Sequence, residues 1–233
     1  MKLLLSNRLR ACCEFVRPGD RVADIGTDHG YLGIFLLQNG LASRIFASDV
    51  REKPLEKARE NAKLYGVAEK MQCFLSDGAQ RIPRDFDVLV CAGMGADTII
   101  GILKDAPWLR SGAYRLILQP QSTGYDLRRY LSENGWQISQ ETLCQDGGFL
   151  YTVMEAIPGA QLLSPGEQYL SPALRQCGNE LLKPYAARCI RGLADTLAGM
   201  ERAKSDVPEA RRAYFRQALA ELRTWEEAYD KSH

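Results

Sequence analysis

Three aspartates each close a short apolar run: Asp24 after Arg21-Val22-Ala23, Asp49 after Ile45-Phe46-Ala47-Ser48, and Asp77 after Gln72-Cys73-Phe74-Leu75-Ser76. A fourth run, residues 86–92, opens into Gly93-Met94-Gly95. The loop Asp24-Ile25-Gly26-Thr27-Asp28-His29-Gly30 carries the strongest chemical signal. Its glycines let a ligand approach the backbone, and the following helix turns its N-terminal N–H groups toward the same place. A dinucleotide site would present G-x-G-x-x-G to a pyrophosphate. Here the glycines fall at 26, 30 and 33, with an acid at 28. A carboxylate repels a pyrophosphate but attracts the sulfonium and amino group of S-adenosylmethionine. The loop therefore leans toward that cofactor, with Asp24, Gly26, Thr27 and Gly30 around it. Tyr31 lines the pocket or fills core.

Asp49, with Val50 beside it, can accept two hydrogen bonds from ribose hydroxyls. NAD enzymes use an acid at the same place, so Asp49 supports an adenosine ligand without choosing which. It could equally cap the helix that starts near Glu52. Asp77, between Ser76 and Gly78, can accept from an adenine amino group, or simply make an Asp-Gly turn. Acids at three successive strand ends are harder to dismiss than any one of them. Gly93 would let a base approach the backbone. Gly93-Met94-Gly95 stands where many amino-methyltransferases carry an N-P-P-Y type motif, which argues against exocyclic-amine chemistry. Met94 packs against a base or belongs to the core.

These residues need a frame. The apolar runs at 21–26, 45–49, 72–77, 86–92 and 114–119 read as strands. Between them, 31–39, 52–65 and 96–108 read as helices, and 125–134 as another. Alternation of this kind predicts a parallel sheet with helices on both faces. Two later runs, 136–143 and 149–156, would add an antiparallel pair across Gln145-Asp146-Gly147-Gly148. The expected fold is α/β, a Rossmann-like class I methyltransferase with a mostly parallel seven-stranded sheet. A plan of strands does not by itself give a function.

Before the sheet, Ser6 is placed to cap a short helix bearing Leu9, Cys12, Cys13 and Val16. After it, residues 157–172 read as a linker. Beyond lie two apolar stripes at helical intervals, Leu174 to Met200 and Phe215 to Tyr229, separated by Ser205-Asp206-Val207-Pro208. They predict an antiparallel helical hairpin, kinked in its first arm by Pro184 and with Pro208 in the first turn of its second. The expected division is 1–160 for cofactor binding and catalysis and 173–233 for a helical C-terminal domain.

Bulk properties narrow the class. The formal net charge is +1, so binding to nucleic acid needs a local basic face rather than overall charge. No apolar run approaches the roughly 20 residues of a membrane span. Seven cysteines without a C-x-x-C pair suit thiols in a reducing cytoplasm, and two histidines at opposite ends argue against a histidine-rich metal site. Candidate cations for RNA are Lys2, Arg8 and Arg10 near the N-terminus and Arg188, Arg191, Arg211, Arg212 and Arg216 in the hairpin. Arg8 is the first choice, although most helix arginines are merely solvated.

Several motifs together resemble the bacterial tRNA (adenine-N1)-methyltransferases of TrmK type, which modify adenine 22. They are Leu5-Ser6-Asn7-Arg8-Leu9, Val22-Ala23-Asp24-Ile25-Gly26-Thr27-Asp28-His29-Gly30-Tyr31-Leu32, Ala92-Gly93-Met94-Gly95 and Leu118-Gln119-Pro120. Gly33, Ala96 and Gln121 depart from the family pattern. The resemblance implies S-adenosylmethionine as cofactor, tRNA as partner and Asp28 as the catalytic carboxylate. It also implies a substrate surface at Arg8, Met94, Gly95, Gln119 and Pro120, and a coiled-coil-like C-terminal extension. Without it, Asp28 could cap the Tyr31 helix or hold the methionine end of the cofactor, and His29 reads as an orienting group. No metal and no membrane enter this reading, and a monomer is expected over a dimer. The alternatives are a methyltransferase for a small molecule or protein, its hairpin serving dimerisation, and a non-catalytic cofactor-binding adaptor.

Overall fold

The computed structural model describes residues 3–122, 124–202 and 207–232. Seven strands form one sheet: β1 (Asp20–Ile25), β2 (Ala42–Asp49), β3 (Met71–Leu75), β4 (Val88–Met94), β5 (Arg115–Pro120), β6 (Trp136–Asp146) and β7 (Phe149–Pro158). Their spatial order is β3-β2-β1-β4-β5-β7-β6. The first five run parallel, and β7 enters antiparallel between β5 and β6. This is the expected mostly parallel Rossmann-like sheet.

Helices cover both faces, so the central strands are apolar on both sides instead of alternating. Along β4, Val88 and Val90 join the core beneath α1 (Asn7–Cys13), α2 (Tyr31–Gln38) and α3 (Glu52–Leu64). Leu89 and Cys91 point the other way, into the core beneath α4 (Ala96–Asp105) and α5 (Gly124–Glu133). The period of two along a strand produces this sorting. Each fully buried Leu, Ile or Val contributes about 1.5–3 kcal/mol relative to exposure. The chain leaves β1 for β2 on one side and returns to β4 on the other, so the strand order reverses between β1 and β4. A crevice opens there beyond the carboxyl ends of the strands.

The C-terminal region adds α6 (Pro172–Arg175), α7 (Leu182–Arg202) and α8 (Glu209–Ser232). An ion pair of 2.6 Å from Lys183 to Asp230 joins the start of α7 to the end of α8, so the two run antiparallel. Four details differ from the sequence reading. Pro184 kinks nothing, because α7 begins at Leu182 and puts Pro184 in its first turn, where a missing N–H has no intrahelical acceptor to lose. Leu174 belongs to α6, capped by the Ser171 hydroxyl, which accepts from Leu174 N at 3.0 Å. The segment after Pro158 is also no loose tether: Gln168, Tyr169, Leu170 and Ser171 are buried. Pro208 lies immediately before α8, its carbonyl accepting from Arg211 and Arg212 N–H. Ser205 and Asp206 lie outside the described residues.

The hairpin is seated on the sheet. Leu143 of β6 packs with Leu174, Leu182 and Tyr185. Next to them, Arg128 of α5 and Glu141 of β6 form an ion pair in which both side chains are 0% exposed. Arg128 Nε donates to both Glu141 oxygens at 3.1 Å, Nη1 to the Gln168 carbonyl at 3.1 Å and Nη2 to the Tyr185 hydroxyl at 3.4 Å. The Ser171 hydroxyl donates to Glu141 at 2.6 Å.

Candidate active site

The carboxyl ends of β1, β2 and β4 and the turn after β3 surround a cleft of about 500 Å³, within the usual range for small-molecule sites. Asp24, Asp28, Asp49 and Asp77 all line it.

β1 ends in a turn through Gly26, at φ +68°. A side chain there would be strained, and its Cβ would displace the Met94 methyl, so the turn favours glycine. Asp24 is buried and accepts from the Thr27 hydroxyl at 2.6 Å. Burial, aided by the nearby Asp49 charge and opposed by the Thr27 bond, pushes its carboxyl up to about 6. No cation answers it among the described residues.

Asp28 is left-handed, with φ +52°, and is alone among the described non-glycine residues in that region. Its backbone N–H donates to Asp49 Oδ2 at 3.3 Å, while Asp49 Oδ1 accepts from Arg51 N–H at 3.0 Å. Asp49 thus ties the β1 loop to the end of β2. It does not cap α3, whose N-cap is Arg51. Nor does Asp28 cap α2: that position is Gly30, and no side-chain bond is made there. The Asp28 carboxylate is left exposed at the cleft, with His29 Nε2 at 3.6 Å. Ser76 shapes the turn after β3, its hydroxyl donating to the Gly78 carbonyl at 3.0 Å and accepting from Arg81 N–H at 3.0 Å. That turn leaves Asp77 exposed at the cleft wall.

The opposite wall comes from β4, β5 and the N-terminal helix. Gly93, at φ +79°, leaves room for Arg8: a Cβ there would lie 2.7 Å from Arg8 Nη1. Gln119 is fully buried beneath them, its Oε1 accepting from Arg8 Nη1 at 3.2 Å and from Gly93 N–H at 3.0 Å. Its amide nitrogen donates to the Pro120 carbonyl at 2.9 Å.

The sequence-predicted residues therefore divide. Gly26, Thr27, Tyr31, Val50, Ser76 and Gly78 line the cleft with the four acids, and Arg8, Gly93 and Met94 face them. Gly30, Gly95, Gln119 and Pro120 lie outside its lining. Gly30 is buried against Met71 and Ala58, Gly95 is the N-cap of α4, and Gln119 and Pro120 support the wall from behind. Gln119 thus acts on the site through Arg8 and Gly93.

Three residues escaped the sequence reading. Ile102 of α4 and Arg51 also line the cleft. Asp146, the last residue of β6, accepts from Arg8 N–H at 3.4 Å and lies 3.9 Å from its Nε. Arg51 was visible beside Val50, but nothing local marks Ile102 or Asp146. Of the candidate RNA cations, Arg10, Arg188, Arg191 and Arg211 are exposed, Arg212 is half-buried, and Arg216 pairs with Glu209 at 2.7 Å. Lys2 lies outside the described residues. Among the described residues there is no metal-ligating cluster and no helix long and apolar enough to cross a membrane.

The methyltransferase-domain family profile matches residues 5–154. The tRNA (adenine(22)-N(1))-methyltransferase of Bacillus subtilis is 30% identical over 159 residues, spanning 68% of this chain and 67% of that protein. The chain belongs to the bacterial tRNA (adenine22-N1)-methyltransferase family. The family's structures extend the match over nearly the whole length. The Streptococcus pneumoniae protein Sp1610, solved in complex with S-adenosyl-L-methionine, superposes with a TM-score of 0.81 at 26% identity, covering 96% of this chain and 100% of that one. The crystal structure of the B. subtilis m1A22 tRNA methyltransferase TrmK gives a TM-score of 0.79 over 98% of each chain; at 24% identity it bears on the fold alone. The family's enzymes use S-adenosylmethionine, and the donor set here suits it. Buried or cleft-lining carboxylates can meet a cationic, hydroxyl-rich ligand, and a glycine turn leaves its backbone open to contact.

Proposed function

We propose that this enzyme methylates N1 of adenine 22 in tRNA, with 1–160 as the catalytic unit and 173–233 as an arm that faces the RNA. The observation that carries the reading is the convergence of Asp24, Asp28, Asp49 and Asp77 on one cleft, facing a wall of Arg8, Gly93 and Met94. When bound, S-adenosylmethionine supplies an electrophilic methyl group. Asp24, near the end of β1, would hold its cationic end, Asp49 its ribose hydroxyls and Asp77 its adenine amino group, with Val50, Ser76 and Gly78 beside the adenine. N1 of neutral adenine already has a lone pair, so the protein needs no base to begin. It must place the ring and offset the positive charge the ring acquires. Asp28 offsets that charge, and Arg8 and Met94 place the base, with Gly95, Gln119 and Pro120 supporting that wall from behind. The enzyme acts as a cytoplasmic monomer. Nucleoside mass spectrometry after incubation with a tRNA transcript should show 1-methyladenosine, and an A22-to-G transcript should show none. Methylation that survives that change overturns the position; no methylation of either transcript overturns the substrate.

Asp49→Ala should weaken S-adenosylmethionine binding by about 1–3 kcal/mol, since ribose hydroxyls and the Asp28 N–H both lose an acceptor. Calorimetry reads this directly, and an unchanged affinity removes Asp49 from the site.

Cofactor binding should also depend on pH through Asp24. Its carboxyl is raised to about 6 in the folded protein, so the folded chain holds a proton that the unfolded chain has lost. Stability without cofactor is therefore greatest below the unfolded value and falls as pH rises from about 4 to about 6. A cationic ligand favours the charged carboxylate, so its affinity runs the other way. It should tighten by up to about tenfold per pH unit between about pH 4.5 and 6, then level off. Calorimetry across this range should show proton release on binding. Asp24→Asn should flatten the profile; an unchanged slope in that variant assigns the dependence elsewhere.

A further inference from the structure

A second cavity, of about 410 Å³, lies between the helical hairpin and α5, separate from the cofactor cleft. Its lining contains aromatic rings and two guanidinium groups and no carboxylate. Tyr125, at the start of α5, stacks on Tyr169 with ring centroids 4.6 Å apart and planes 14° from parallel. Tyr169 is buried, whereas Tyr125 is half-buried and keeps part of its ring toward the cavity. Arg188 of α7 lies over the Tyr185 ring at 5.2 Å and donates one hydrogen bond to the Leu150 carbonyl at 3.2 Å. Arg211 of α8 faces it across the hairpin. Both are exposed, and neither forms an ion pair among the described residues, unlike Arg216, which pairs with Glu209. Gly192 adds width: a Cβ there would meet nothing within 4 Å.

The chemistry of these walls is selective. A flat ring can continue the tyrosine stack, and guanidinium groups pair with phosphate oxygens in a planar, bidentate way. A base within a duplex has both faces covered by its neighbours, so only an unpaired nucleotide can offer a ring and a phosphate together. The position also suits RNA that reaches the cleft. Gly124 borders this cavity, and Gln121, three positions earlier, donates its N–H at 2.8 Å to the carbonyl of Met94, which lines the cleft.

We propose that this cavity is a second nucleotide subsite, taking one unpaired nucleotide of the tRNA while the cofactor cleft holds the target base. The base extends the Tyr125–Tyr169 stack, and the phosphate faces Arg188 and Arg211. This rests on the tRNA reading given above.

The test uses the full chain, an unmodified tRNA transcript as probe, and calorimetry with S-adenosylmethionine as a check on folding. Gly192→Trp plugs the cavity from an exposed helix position, and Tyr125→Ala removes the platform. Each should weaken tRNA binding about tenfold with cofactor affinity intact, and Tyr125→Phe should bind as the unaltered chain does. Arg211→Ala should weaken binding and lower the slope of log affinity against log salt by about one. If Tyr125→Ala fails to fold, Gly192→Trp decides. A plugged protein that binds tRNA within twofold of the unaltered chain overturns the subsite and leaves the tRNA reading standing. An unaltered chain that neither binds nor methylates the transcript overturns both.

Discussion

Asp28→Asn should lower the single-turnover rate of methyl transfer about 10²-fold, with S-adenosylmethionine affinity changed by less than about threefold. The substitution isolates charge. Asn occupies the left-handed region more readily than most residues, so the φ of +52° is kept. The backbone N–H still donates to Asp49, so the cofactor loop keeps its tie. What disappears is a negative charge beside a ring that becomes cationic. Removing one group that stabilises transition-state charge typically costs about 10²–10³-fold, and the exposed position of Asp28 argues for the lower end. Entry of the cofactor and the base displaces water from around the carboxylate and strengthens its field at the ring. Transfer near the unaltered rate rules out an electrostatic role. An equal loss of cofactor affinity would instead make Asp28 a binding residue. Replacing His29, 3.6 Å from Asp28, should have a smaller effect, because it touches the carboxylate and not the reacting atoms.

Glu141→Gln should lower the unfolding free energy by about 3–5 kcal/mol, the range for breaking a buried pair by removing one partner. The change is nearly isosteric, so no cavity forms. Arg128 is left charged and 0% exposed, with only the Gln168 carbonyl, the Tyr185 hydroxyl and a neutral amide to answer it. Ser171 also loses its charged acceptor. Denaturant unfolding followed by circular dichroism measures the loss, and a change below about 1 kcal/mol would show that the pair contributes little. The double variant Arg128→Met with Glu141→Leu should recover most of the stability, because replacing both charges leaves no uncompensated ion. The same network bears on the hairpin. The sheet is complete by β7, and cutting the chain at residue 173 would remove Tyr185 from Arg128 and uncover Leu143. The truncated protein is therefore expected to be less stable even though no cleft residue is lost. Its tRNA affinity is best compared with point variants in the hairpin beside it.

The strand runs, the acids that close them and the glycines that turn after them are all local features. Strand periodicity sorts side chains to two faces, and parallel strands joined through helices bring their carboxyl ends to one edge of the sheet. Asp24, Asp49 and Asp77 could thus be assigned to one site from the sequence by itself. The resemblance carried by residues 22–32 and 92–95 added the reaction. Helical spacing in the last sixty residues likewise determined a hairpin. What local pattern could not decide was which polar atoms meet once the layers pack. Asp49 could have capped the next helix; the tertiary structure gave it the Asp28 N–H instead. Gln119 read as a substrate contact, but burial behind Gly93 made it the support for Arg8. Asp146 reaches Arg8 across 138 positions of sequence, and the Arg128–Glu141 pair forms only because α5, β6 and the segment after Pro158 converge. A buried polar group must find a partner wherever the fold supplies one. That partner is set by the packing of distant segments, which no local spacing encodes.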